Sequence, residues 1–166
     1  MKKRNILLFV FSILIGFVAQ AQKDSMIVEE KRDARYFRNT GIVVKNVFGQ
    51  AHISPTATPG TQSVFIQFSH SHHLGIADDE FTEQWFFMIP AGAKKSFLIT
   101  EADLEKQQVV YCKLCYCLNA GCHKASGKWE ISGKKKCKKW EIRIKYGEDI
   151  NYSFSVKPDS IENFPK

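Results

Sequence analysis

The sequence predicts an all-β domain, an antiparallel sandwich or partly open barrel of about 7–9 short strands with one short helical turn near 101–106. Three observations carry this. Trp140, Ile142, Ile144 and Tyr146 alternate strictly with Lys139, Glu141, Arg143 and Lys145, and Tyr152, Phe154 and Val156 repeat the pattern beyond a turn at Gly147-Glu148-Asp149. Such alternation sets one strand face on a core and the other in water. Turn signals recur at short intervals with no strand–helix–strand alternation. The chain also holds 13 Phe, and aromatic side chains favour strands.

Taken in order, Gly41-Ile42-Val43-Val44 opens the first apolar stretch, and Ala51-His52-Ile53 continues it past a bulge or turn at Gly49. Pro55, Pro59 and Gly60 mark a loop. Val64, Ile66 and Phe68 alternate with Phe65, Gln67 and Ser69 as a half-buried strand. Gln84–Ile89 is apolar on both faces and belongs in the centre of the sheet, and Pro90-Ala91-Gly92 stops it. Ser96–Thr100 is a short strand, and Thr100-Glu101-Ala102-Asp103 reads as a capping box. Gln108–Leu118 is the longest strand expected, turned by Asn119-Ala120-Gly121. Lys-Trp-Glu-Ile occurs at 128–131 and again at 139–142, as two arms of one hairpin turned at Gly133–Lys136.

The N-terminus carries a different signal. Lys2, Lys3 and Arg4 precede an apolar run from Ile6 to Val18, followed by Ala19-Gln20-Ala21. Charge, a short apolar segment and an A-x-A site describe a cleaved secretory leader. The run is too short to cross a membrane, which takes roughly 20 residues. The expected organisation is a signal peptide at 1–21, a polar, mobile or weakly helical lead-in at 22–40, one β domain at 41–158, and a tail at 159–166. The mature chain is expected to be soluble and extracytoplasmic, periplasmic or secreted, with no membrane span.

The whole chain is +7, but the leader holds three of its 24 basic residues and none of its 17 acidic ones, leaving 21 against 17. A mildly basic exported protein points away from nucleic acid and toward a protein, a glycan or a surface polyanion.

Five cysteines, Cys112, Cys115, Cys117, Cys122 and Cys137, suggest disulfides in an oxidising compartment. On a continuous strand Cys112 faces away from Cys115 and Cys117, and those two share a face with Cα atoms about 6.5–7 Å apart, at or beyond the disulfide limit, so each is expected to seek a partner elsewhere. Cys117 and Cys122 could close across the turn, Cys137 could reach Cys115 or Cys122, and the odd count leaves a thiol over. The alternative is metal: Cys-x2-Cys-x-Cys-x4-Cys-His supplies enough ligands for tetrahedral zinc, though not at a familiar spacing. Cys112-Lys113-Leu114-Cys115 is formally a redox C-x-x-C, without the helix N-terminus that activates such thiols.

His70, His72 and His73 form a second candidate metal site for zinc or copper. The i, i+2 pair His70 and His72 shares a face if the strand from Val64 runs on; Asp78, Asp79 or Glu80 could offer an oxygen ligand or a hydrogen-bond partner behind a ligand, and His52 or His123 an outside donor. The plainer reading is a solvated loop. Lys134, Lys135, Lys136, Lys138 and Lys139 crowd one hairpin tip. They could contact a polyanion, or simply protect an edge. Trp85, Trp129 and Trp140 could stack sugars if exposed, but their apolar strand faces place them in the core.

No nucleophile elbow, zinc-protease helix, phosphate loop or dinucleotide fingerprint occurs in the sequence. The leading expectation is therefore a non-enzymatic, disulfide-stapled binding or interaction module. A metal-binding protein or metal-dependent enzyme is the second reading, and a glycan- or polyanion-binding module the third.

Overall fold

The computed structural model describes residues 29–71, 80–115, 120–148 and 150–165. The expected leader, its expected cleavage site and the start of the expected lead-in lie outside them. Among the described residues nine strands form one mixed sheet curled into a half-barrel: β1 (Glu29–Val47), β2 (Gln50–Ser71), β3 (Glu80–Met88), β4 (Ser96–Ile99), β5 (Val110–Leu114), β6 (Gly121–Lys124), β7 (Trp129–Lys136), β8 (Lys139–Tyr146) and β9 (Ile150–Asp159). Their order across the sheet is β4-β7-β8-β9-β1-β2-β3-β5-β6. The only helix among the described residues is two 3-10 turns, Glu101–Asp103 and Ile161–Asn163. The first has the expected capping box between Thr100 and Asp103.

All neighbouring strands run antiparallel except β1 and β9, which pair in parallel through Arg35↔Lys157, Tyr36↔Pro158 and Phe37↔Asp159. This short ladder joins the two halves of the sheet. Arg35 clips it: its guanidinium reaches Asp33 Oδ2 at 2.7 Å and Asp159 Oδ2 at 3.3 Å, donates to the Asn163 carbonyl at 2.9 Å, and stacks over Phe65.

The concave face holds the main core. Trp85, Trp140, Phe87, Ile66, Ile131, Ile142, Ile144 and Val156 pack there almost without exposure. A second cluster lies on the convex face, where Phe37, Phe65, Phe86, Val110 and Cys112 meet Phe164 and the distal arm of the β1–β2 hairpin through Ile42 and Ala51. That arm bends where the register slips between Arg38 and Thr40. Asn39 sits at φ 53° and Gly60 at φ 79°, and the Gly60 amide donates to Asn39 Oδ1 at 3.1 Å. The hairpin turns through Phe48 (φ 50°) and Gly49 (φ 81°), the two left-handed residues that a type I′ turn needs.

Several sequence expectations are corrected. Residues 29–40 are not a mobile or helical lead-in but much of β1. Pro55, Pro59 and Gly60 fall within β2, where Pro55 sits on the two-stranded arm with a free side for its missing N–H. Residues 108–118 are not one strand, since β5 ends at Leu114. The β7–β8 hairpin turns at Cys137-Lys138, not Gly133–Lys136. Gly133 stays in the strand and leaves room for the ring of Phe97.

Candidate functional site

The convex face of β4, β7, β8 and β9 builds a polar cleft. Strand parity turns Trp129, Ile131 and Gly133 inward and Ser132 and Lys134 outward on β7. The registers then align two rows across the strands. Leu98, Ser132, Arg143 and Ser153 form one row, and Ser96, Lys134, Glu141 and Ser155 the other. The cleft encloses about 350 Å³ and is lined by Ser96, Ser132, Ser153, Lys134, Lys136 and Arg143, with Phe97, Gly133 and Ile142 beneath and Glu141 at one side. The ion pairs among the described residues leave Lys134, Lys136 and Arg143 without a carboxylate; the neighbouring Lys145 is paired to Glu130 at 3.8 Å.

One end of this cleft is strongly basic. Lys134, Lys135, Lys136, Lys138 and Lys139 are all exposed around the Cys137-Lys138 turn. Two further lysines join them, because the Lys135 amide donates to the Lys95 carbonyl at 2.8 Å and brings Lys94 and Lys95 alongside. Arg38 joins from β1: it donates to Tyr36 Oη at 3.1 Å, and Tyr36 Oη donates in turn to the Lys138 carbonyl at 3.0 Å. Lys135 differs from its neighbours, with its ammonium 5.6 Å from the Trp140 ring centroid. The five lysines therefore split between a cleft wall and a rim.

A second cleft of about 560 Å³ follows the seam where β1 and β9 diverge. Arg32, Asp33, Arg35, Ser155 and Lys157 line it, and it meets the first at Ser153.

Among the described residues the concave face carries one buried carboxyl group. Glu83 is 2% exposed; Oε1 accepts from Tyr111 Oη at 2.5 Å, while Oε2 has no hydrogen-bond partner. Burial, followed by the bond to Glu83, pushes the Tyr111 phenol far above its ordinary range. Burial and then the Glu83 charge push Tyr152 up to about 12. Both phenols are thus proton donors and not bases at neutral pH.

The remaining predicted site residues are placed as follows. Cys112 and Cys122 form a disulfide, so neither is a thiolate for zinc. The expected Cys117–Cys122 and Cys137–Cys122 bonds do not form, because Cys112 and Cys122 stand directly opposite in the β5–β6 register once β5 stops at Leu114. Cys115 is also disulfide-bonded, while Cys117 lies outside the described residues. Cys137 is free and exposed. His72, His73 and Asp78 lie outside the described residues, and His70 is described only as backbone, between Glu30 and Phe81. Among the described residues no group of three His, Cys, Asp or Glu side chains is arranged to hold a metal ion. His52 and His123 are both exposed. Trp85, Trp129 and Trp140 are all buried, so no exposed Trp platform exists for sugar stacking. Among the described residues no helix is long and apolar enough to cross a membrane.

The chain matches no protein-family model, no curated protein and no solved structure.

Sequence reasoning found the lysine tip but missed Arg143, Ser132, Ser153, Lys94, Lys95 and Arg38. The charged face of 139–146 contained Arg143 and could have flagged it. The others join only through cross-strand registers.

Proposed function

We propose that the protein is a non-enzymatic, extracytoplasmic binding module that meets its ligand on the convex face of β4, β7, β8 and β9. One observation carries this reading. Large side chains fill the concave interior, whereas hydroxyls and unpaired cations converge in an outward cleft on a continuous sheet. Sites on strands hold their geometry better than sites on loops. The leader motif supports export, and the Cys112–Cys122 bond is compatible with an oxidising compartment.

The test has two parts. The full chain is expressed and fractionated, and the exported form is screened against protein, glycan and polyanion ligands beside an Arg143→Glu variant. The expected result is a chain outside the cytoplasm with its leader removed, and a ligand lost in the variant at unchanged melting temperature. A chain retained in the cytoplasm with its leader intact, or ligand binding indifferent to Arg143→Glu, overturns the reading.

A further inference from the structure

Resting on the binding-module reading, we propose that the cleft is a subsite for one sulfate or phosphate ester group of an acidic polysaccharide, with the lysine rim contacting further ester groups along the same chain.

The lining residues carry the argument. Lys134, Lys136 and Arg143 present cationic donors that form no ion pair among the described residues, although Glu141 stands opposite Lys134 in the register. A bound oxyanion would supply the missing charge through charge-assisted hydrogen bonds, which are about twice as strong as neutral ones. Ser132 stands opposite Arg143, and Arg143 opposite Ser153, so serines flank Arg143 on both neighbouring strands and line the same cleft. A tetrahedral ester has oxygens in enough directions to use both kinds of donor. Glu141 is the one carboxylate in the lining, an acceptor for a sugar hydroxyl. Leu98 is 54% exposed beside Ser132, an apolar edge against which a pyranose ring can lie. At about 350 Å³ the cleft suits one ester and part of a sugar ring.

The surroundings favour a polymer. Lys138 and Lys139 at the turn, with Lys94 and Lys95 alongside, extend the positive surface past the cleft, while Lys135 and Arg38 lie over Trp140 and Tyr36 on the other face. A lipid surface fits less well. Membrane docking pairs basic residues with inserted apolar ones. Beside the cleft the exposed apolar side chain is Leu98, while Phe48, Val43 and Val47 sit on the distal β1–β2 arm, whose Gln50 reaches β6.

The test measures binding of the whole exported chain to a heparin oligosaccharide, neutral dextran and phosphatidylglycerol vesicles. The variants are Lys134→Glu with Arg143→Glu in the cleft, Lys138→Glu with Lys139→Glu on the rim, and Lys145→Glu as a charge control. Near-ultraviolet circular dichroism confirms the fold of each. The expected result is salt-sensitive heparin binding, no dextran binding, and a loss of about tenfold or more in the cleft variant against a smaller loss on the rim. Lys145→Glu should change little. Equal losses in all three variants would show attraction to net charge only and sink the proposal, as would vesicle binding without oligosaccharide binding. Capture of a neutral ligand, lost on Arg143→Glu, would refute the ester subsite yet leave the binding module standing. Heparin binding indifferent to the cleft variant would remove both.

Discussion

The ring of Phe97 occupies the space that a β-carbon on Gly133 would need. The two residues are cross-strand partners in the β4–β7 ladder, and Phe97 packs edge-on to Trp140 at 5.2 Å between centroids. The glycine is thus the socket that holds the edge strand β4, and with it Ser96, against the cleft.

Gly133→Ala should therefore overpack this contact and lower stability by about 1–3 kcal/mol. Chemical denaturation with an unchanged m-value checks it. Pairing the substitution with Phe97→Leu should recover part of the loss; full loss in both backgrounds would place the cause elsewhere.

Tyr111→Phe should destabilise by about 1–3 kcal/mol, because it strips the hydrogen bond from a buried Glu83 whose other oxygen already lacks a partner. Glu83→Gln leaves an acceptor for Tyr111 and removes the charge, so it should cost less. The reverse order of the two midpoints would contradict this account.

Tyr111 and Tyr152 bind protons more tightly in the folded chain than in the unfolded one. Their contribution to stability is complete below the ordinary phenol range near 10. It declines as pH rises through the folded values, about 12 for Tyr152 and higher for Tyr111. Stability should fall steeply above pH about 10. Phenolate absorbance should show late-titrating tyrosines that Glu83→Gln brings forward. Phenols that all titrate together near 10 in the native protein would refute it.

Replacing Cys112 and Cys122 together by Ala should cost about 2–3 kcal/mol, since the bond closes a loop with a sequence separation of 10. A bulky maleimide should modify exposed Cys137 in the native protein and reach Cys112 and Cys122 only after reduction. Native labelling of Cys112 would rule out the assigned bond.

Phe48 is fully exposed, at 102%, in a left-handed conformation that a bulky side chain resists. Phe48→Asn should stabilise the hairpin by about 0.5–1 kcal/mol. A destabilised variant would mean that the ring has a partner in the folded protein.

The strands with clean alternation, β8 and β9, were legible because one face is apolar and the other charged or polar. β1 was not. Arg32 lies over Phe68 at 5.2 Å and Arg35 over Phe65 at 5.4 Å, so charged residues cover apolar rings and a central strand reads as a polar leader extension. The end of β5 at Leu114 is hidden in the sequence because 108–118 is apolar on both faces. The cleft was half legible. Its lysines are contiguous in sequence, but Ser96, Ser132, Arg143 and Ser153 meet only through three ladders. No local pattern announces that.

The pairing of β1 with β9 sets when this protein can fold. Arg35 and Lys157 are 122 positions apart, and the ladder between them unites the two halves of the sheet. A nascent chain lacks the strand that closes the structure until residues 150–159 have been made. Long-range closure of this kind is slow, so on the proposed extracytoplasmic reading the polypeptide would still be open when an export machinery met it.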